Sequence, residues 1–274
     1  MKFRTMLFAS AAVMFTTSAM AADDITGAFY LPTKGKFLSN TSLEMSRGKM
    51  DFGPSYVEDV EKGLYASEEL TYGITDNFAV VGYIGNHFDY DKEYNNDHNF
   101  EYGVGVKYNH NFDKVLTQVG LGYRTADLQS WYGQGYDDED FNDRWAKFIQ
   151  AEAKLGYAFD CGLTPYTTFS VLGGIDRGNN ERVYNWFAGA HKKWDRVAAD
   201  LGVNYTFGKE AEWKVDDSGL GDGHNEEWAL KGELHYFVKD NFTVGAYGSY
   251  YIGGDEREDV DYDYTVGLNA KVVF

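Results

Sequence analysis

Ionisable side chains of both signs occur at alternate positions of several polar–apolar repeats, on the face opposite the apolar residues. The charged members are Glu44, Glu101, Lys107, Arg124, Glu152, Lys154, Asp200, Lys231, Glu233 and Lys271. His87, His191 and His235 share this face. If it surrounds a water-filled passage, these groups line a pore and select which ions or small solutes pass. If it surrounds a narrow interior, they pair and plug it, so the sequence leaves both interpretations open.

Motifs for an enzyme or a metal site are weak. The sequence has neither a Gly-x-Ser-x-Gly turn nor a His-Glu-x-x-His motif. His98 and His224 lie in acidic segments, where each could join a carboxylate in a hydrolase site or simply be solvated. Residues 216–227 carry the glycine and final glutamate of a calcium loop, but Leu220 occupies a ligand position. We therefore predict a non-enzyme with no metal and no cofactor.

The segments that carry the charged side chains follow a period of two residues. Between Trp228 and Tyr236, for example, large apolar residues or glycine alternate with mostly polar ones, which is the pattern of a half-buried strand. Each segment is close to the ~9–11 residues that a tilted strand needs to cross a bilayer. The predicted strands cover 36–47, 63–74, 78–89, 99–110, 115–126, 144–159, 164–175, 182–193, 196–207, 226–238, 242–252 and 262–274.

Connections between the predicted strands alternate between short turns rich in Asp, Asn and Gly and longer polar segments. Outward-facing aromatic residues fall near both strand ends, with small or aliphatic residues between them. Two aromatic girdles and unequal connections are typical of barrels in outer membranes, where short turns are periplasmic and long loops extracellular. The predicted fold class is therefore all-β: a transmembrane antiparallel up-and-down β-barrel of about 12 strands.

The start of the chain predicts export. Lys2 and Arg4 precede an apolar stretch at 6–17, and residues 19–21 form a small-x-small cleavage site. We predict a cleaved signal peptide at 1–21 and a single outer-membrane barrel domain at 22–274. The stretch 23–34 could be a periplasmic lead-in or could fold into the lumen.

Acidic residues dominate the charge, with 43 Asp and Glu against 25 Lys and Arg and a formal net charge of −18. This balance argues against a nucleic-acid partner, because phosphate binding requires a basic surface. Acidic clusters at 58–61, 137–140 and 255–259 could bind divalent cations, bridge to lipopolysaccharide phosphates or attract cationic solutes. They could equally form a solvated, self-repelling surface. The single Cys161 permits no internal disulfide.

The last strand carries a more specific signal. Tyr264, Val266, Leu268, Val272 and Phe274 alternate with polar residues or glycine, and the sequence ends at that Phe. This strand resembles the C-terminal strand of Gram-negative outer-membrane proteins, whose terminal aromatic residue is read by the barrel assembly machinery. The resemblance implies an outer-membrane location among lipid and lipopolysaccharide, with the assembly machinery and periplasmic chaperones as partners. Twelve-stranded members of the superfamily include sugar-acid porins, nucleoside channels and a phospholipase.

The leading functional prediction is a porin-like channel for passive diffusion of small solutes or ions. The alternatives are a non-conducting surface barrel for adhesion or lipopolysaccharide bridging, and an outer-membrane hydrolase. Glu68 and Glu69 pose one difficulty for a regular strand, because adjacent residues face opposite sides and an ionised carboxylate facing lipid is costly. A bulge, a position above the membrane or a contact with another protomer would resolve it.

Overall fold

The computed structural model describes residues 24–51, 57–58, 62–89, 98–127, 145–175, 182–209, 224–254 and 260–274. The predicted signal peptide lies outside these ranges, as do the acidic clusters at 137–140 and 255–259. Most of the acidic cluster at 58–61 and most of the calcium-loop-like stretch 216–227 also lie outside them. No helix among the described residues is long and apolar enough to cross a membrane.

The described chain forms one closed antiparallel sheet in which each strand pairs with its neighbours in sequence and the last strand pairs with the first. The two-residue β2 pairs only with the end of β1, so twelve strands build the barrel wall. The strands are β1 Phe37–Asp51, β2 Val57–Glu58, β3 Lys62–Gly73, β4 Phe78–Asp89, β5 His98–Phe112, β6 Val115–Asp127, β7 Trp145–Tyr157, β8 Leu163–Gly174, β9 Arg182–Trp194, β10 Val197–Lys209, β11 His224–Lys239, β12 Phe242–Gly253 and β13 Val260–Val273. The predicted fold class and strand number are confirmed.

Short turns lie at one end of the barrel, which we call the turn end; the opposite end is the loop end. Three of these turns have only two residues between strands, and two of the three begin with an aspartate of positive φ, Asp113 at 55° and Asp195 at 45°. Tight hairpin turns demand such backbone angles, and Asp tolerates them. Cys161, in the turn between β7 and β8, is an exposed free thiol.

Burial in this molecule is the reverse of that in a soluble protein. Large apolar side chains face outward in the middle of the wall, with Leu201 69%, Leu268 63% and Val104 62% exposed. Outward aromatic rings flank them, including Tyr108 and Trp194 toward the turn end and Phe100 and Trp228 toward the loop end. The inner face holds polar and charged residues instead. An apolar outer wall between aromatic girdles fits a lipid environment.

Glu68 and Glu69 divide between the two faces of a regular β3, so the predicted difficulty is resolved without a bulge. Glu69 is 6% exposed and faces the lumen. Glu68 faces outward, where its Oε1 accepts a 2.6 Å hydrogen bond from Ser39 Oγ and its Oε2 accepts one from Thr41 Oγ1. The two hydroxyls on β1 thus replace part of the hydration that the carboxylate loses.

Replacing Glu68 should stabilise the barrel in a bilayer. We expect Glu68→Leu to raise the free energy of unfolding by about 1 kcal/mol in phospholipid vesicles, because a carboxylate on the lipid face is unfavourable. Urea titration of vesicle-inserted protein measures this, and Glu68→Gln, which removes the charge but keeps hydrogen-bonding atoms, should shift stability in the same direction. A loss of stability in both variants would mean that the contacts with Ser39 and Thr41 outweigh the desolvation of the charge.

Candidate functional site: the barrel lumen

The structure places all ten predicted pore-lining residues on the inner face of the wall. Asp200, Lys231 and Glu233 are half-buried. The other seven, Glu44, Glu101, Lys107, Arg124, Glu152, Lys154 and Lys271, are at most 8% exposed. His191 and His235 share this face and are also buried. Their role in lining a pore stays a prediction.

Most luminal charges form pairs, either along one strand, between adjacent strands or across one intervening strand. Lys107 Nζ lies 3.0 Å from Glu69 Oε1, and Lys154 Nζ lies 3.2 Å from Glu152 Oε1. Arg124 pairs with Glu101. Pairing of this kind is what allows ions to be buried without a large net desolvation cost.

A second group of paired charges lies between β11 and β13. Glu233 Oε1 is 3.3 Å from Lys271 Nζ and 2.7 Å from His235 Nε2, and it accepts a 2.6 Å hydrogen bond from Asn269 Nδ2. Lys271 and His235 are fully buried. This carboxylate therefore compensates an ammonium group that has no access to solvent.

A cavity occupies the middle of the lumen, and the centre of a water molecule can move through about 100 Å³ of it. This is room for roughly eight waters, because each needs about 10–15 Å³. Five carboxylates, Lys231, four tyrosines and Phe187 belong to its lining. Most of the other lining side chains are uncharged hydrogen-bonding groups: Asn40, Ser42, Ser67, Gln150, Thr168, Ser170, Asn185, Asn204, Ser249, Thr265 and Asn269.

The N-terminal segment 24–33 folds into the turn end of the lumen, which answers the question that the sequence left open. Residues 24–32 are all buried. Ile25 and Tyr30 form one apolar cluster with Leu38, Ala198 and Phe237, which lie on β1, β10 and β11. The segment thus bridges opposite parts of the wall and fills this end of the barrel.

Phe29 anchors the segment on the other side of the lumen. Its ring packs edge-on against Tyr166, with ring centres 6.0 Å apart. It also covers Gly156 so closely that a Cβ on that glycine would lie 2.6 Å from the ring. The carbonyl oxygen of Phe29 accepts a 2.5 Å hydrogen bond from Asn109 Nδ2. Tyr166 lines the central cavity as well, so segment and cavity adjoin.

Asp24 is the first described residue, and it anchors the start of the segment to the wall. Its Oδ2 lies 2.9 Å from His191 Nε2, and the other ring nitrogen of His191 lies 2.7 Å from Asp200 Oδ2. Burial by itself raises the pKa of Asp24, but the bonds with His191 and Thr26 outweigh it and lower the pKa to about 2. Asp24 is therefore ionised at neutral pH and holds the segment to β9.

Several luminal residues were not identified from the sequence. Glu69, which the sequence distinguishes only as the neighbour of Glu68, lines the cavity together with Tyr65, Tyr83, Tyr166 and Tyr247. Their positions match the inward alternation of their strands, which was the available signal. Within the described ranges, no three His, Cys, Asp or Glu side chains are arranged to hold a metal ion. The side chains of His87, His98 and His224 lie outside the described part.

The predicted assembly-signal residues lie on the outer face of the last strand or at its end. Val266, Leu268 and Phe274 are 45%, 63% and 58% exposed. Tyr264 and Val272 are half-buried. Recognition of this strand by the assembly machinery stays a prediction.

No family model matches this sequence, and no curated protein matches it. Solved structures do match. An outer membrane channel from Pseudomonas putida F1 aligns with a TM-score of 0.60 at 11% identity, over 90% of this chain and 97% of that one. This chain has the fold of an outer-membrane β-barrel. The NanC porin aligns with this chain at a TM-score of 0.56 and 8% identity, over 85% of this chain and 98% of that one.

The two matched structures and the reversed burial both bear on what surrounds the outer wall of the barrel. Both matched proteins are outer-membrane or porin structures, and the apolar band with aromatic girdles requires lipid on the outside. The outer wall is therefore suited to a lipid environment. At 11% and 8% identity the likeness extends to the fold alone.

Proposed function

We propose that this protein is a porin-like outer-membrane channel through which small polar solutes diffuse passively. The observation that carries the proposal is the water-accessible, polar-lined cavity inside a barrel whose outer wall is apolar. A barrel that only displays surface loops needs no hydrated interior, whereas a diffusion path requires one. The matched structures described as a channel and a porin are consistent with this function.

In this channel the ten predicted luminal charges line the diffusion path, and segment 24–33 forms its narrowest part. The short turns face the periplasm, as in other outer-membrane barrels. Solutes then enter the cavity from the loop end and leave past the segment, either beside it or after its displacement. No described contact favours the adhesion, lipopolysaccharide-bridging or hydrolase alternatives.

Export and assembly complete the proposal. The signal peptide is removed after Ala21, periplasmic chaperones carry the unfolded chain, and the assembly machinery reads the last strand. Mass spectrometry of the outer-membrane fraction should find a mature chain beginning at Ala22.

Solute flux tests the proposed function directly. We expect proteoliposomes that contain the folded, detergent-purified barrel to swell in isotonic solutions of small neutral solutes, and planar bilayers to show discrete conductance steps. The variant that lacks residues 24–33 is measured in parallel, because the segment narrows the path. Absence of both flux and conductance in the intact protein and in this variant, with circular dichroism showing folded barrels, would exclude a channel.

A further inference from the structure

We propose that the central cavity is a binding site for a neutral, polyhydroxylated solute of monosaccharide size. The inference rests on the proposed channel and names the class of solute that it takes up. The cavity has room for roughly eight waters. Because each water occupies about 30 Å³ in the liquid, the combined volume of these waters suits one sugar-sized molecule.

Hydrogen-bonding capacity in the cavity exceeds what the protein itself uses. Asn40 Oδ1 and Thr168 Oγ1 are buried and have no hydrogen-bond partner in the protein. Thr168 is only 5% exposed, and both residues belong to the cavity lining. A buried polar group without a partner is costly, so a cavity occupant toward which these two side chains can turn and form hydrogen bonds is favoured.

Aromatic rings give the same cavity apolar surface in fixed positions. The Tyr166 hydroxyl donates a 2.9 Å hydrogen bond to Asp200 Oδ1, and the Tyr83 hydroxyl donates one of 3.3 Å to Glu101 Oε2. These bonds hold the phenol groups at the wall while the rings line the cavity. A sugar ring presents apolar C–H faces and peripheral hydroxyls, so it matches a surface of rigid aromatic rings among amides and hydroxyls.

Charge pairing disfavours an ionic occupant. The lining carboxylates of Glu69 and Glu152 pair with Lys107 and Lys154. Asp200 and Glu233 pair with His191 and Lys271. Glu44 accepts a hydrogen bond from Tyr247 and is attracted by the ammonium group of Lys231. An entering ion would lose hydration without gaining an uncommitted counter-charge, which is unfavourable in a confined interior.

An acidic sugar is disfavoured further by the sign of the lining. Five carboxylates and one ammonium group, that of Lys231, line the cavity, while the cations paired with four of those carboxylates are not part of the lining. Like charges at close range raise the free energy of the bound state. The cavity should therefore discriminate against a uronate more strongly than against a neutral sugar of the same size.

Binding of glucose, glucuronate and glucosamine to the detergent-folded barrel tests the proposal, because the three differ mainly in charge. Saturation-transfer NMR titrations should give the lowest Kd for glucose and at least about a tenfold higher Kd for glucuronate. The double variant Asn40→Leu with Thr168→Val should weaken glucose binding about tenfold. Thr167→Val is the matched control: it changes the adjacent residue, on the opposite face of β8, and should leave binding unchanged.

Each outcome of this titration is decisive. Equal Kd values for the three probes, tightest binding of glucosamine, or an unaltered double variant would overturn the neutral-sugar site. If the barrel binds glucose but shows no flux, the sugar-binding site is supported and the channel function is rejected. If the barrel shows flux but does not bind glucose, the channel function is supported and the sugar-binding site is rejected.

Discussion

Removal of residues 24–33 should raise the single-channel conductance about fivefold or more, because these residues fill the turn end of the lumen. Side chains fill a barrel of about 8 strands, but a wider barrel leaves space when nothing else occupies it. The segment supplies no strand to the wall, and the first strand begins at Phe37, so the barrel should close without it. Conductance in planar bilayers, with the barrel's heat-modifiable migration on gels as the folding check, measures the effect.

A single methyl group offers a finer test of the same contact. Gly156→Ala places a Cβ within 2.6 Å of the Phe29 ring, so the ring must move and conductance should increase or fluctuate more. Gly120→Ala is a matched control on the inner face, since its Cβ would meet its neighbours at 3.6 Å or more and does not approach the segment. If full deletion leaves conductance unchanged, the segment does not limit the path.

Glu233→Leu should lower the free energy of unfolding by about 3–5 kcal/mol, because it removes the carboxylate beside a buried lysine. Lys271 is fully buried, and its ammonium group lies 3.3 Å from Glu233 Oε1. Without that carboxylate, the neighbouring His235 imidazole provides no compensating negative charge. Guanidinium unfolding of vesicle-inserted protein gives the magnitude.

A double variant separates the charge effect from a packing effect. Glu233→Leu combined with Lys271→Met replaces the ion pair by apolar side chains of similar size and should recover most of the lost stability. If the double variant is as unstable as Glu233→Leu alone, the loss arises from packing and the ion-pair account is wrong.

The strands could be predicted from sequence because an outer-membrane wall has water or polar side chains on one side and lipid on the other. This contrast imposes a period of two, which gave 78–89 for β4 as the structure has it. At β13 the prediction of 262–274 is offset by only two residues at its start and one at its end. Side-chain direction follows from the same period, and the structure has the ten charged side chains on the inner face, while their role in a pore stays a prediction.

The arrangement inside the lumen could not be predicted, because it depends on contacts across the barrel that no local pattern encodes. Segment 24–33 has no strand periodicity, and its anchors are distant in sequence: Asp24 meets His191, and Phe29 meets Asn109. The luminal tyrosines were missed for another reason. A tyrosine has an apolar ring and a polar hydroxyl, so alternation alone does not say whether it belongs to lipid or lumen.

The pairing of β1 with β13 also determines how the chain can fold. Phe37 and Phe274 exchange backbone hydrogen bonds of 2.8 and 3.0 Å, and their rings stack with centres 5.7 Å apart. Every other wall pairing joins strands adjacent along the chain, whereas this one joins residues about 240 positions apart. Bringing such distant ends together costs about 5 kcal/mol of chain entropy. Hairpins between neighbouring strands close only short loops, so we expect them to form before β13 pairs with β1 and closes the sheet.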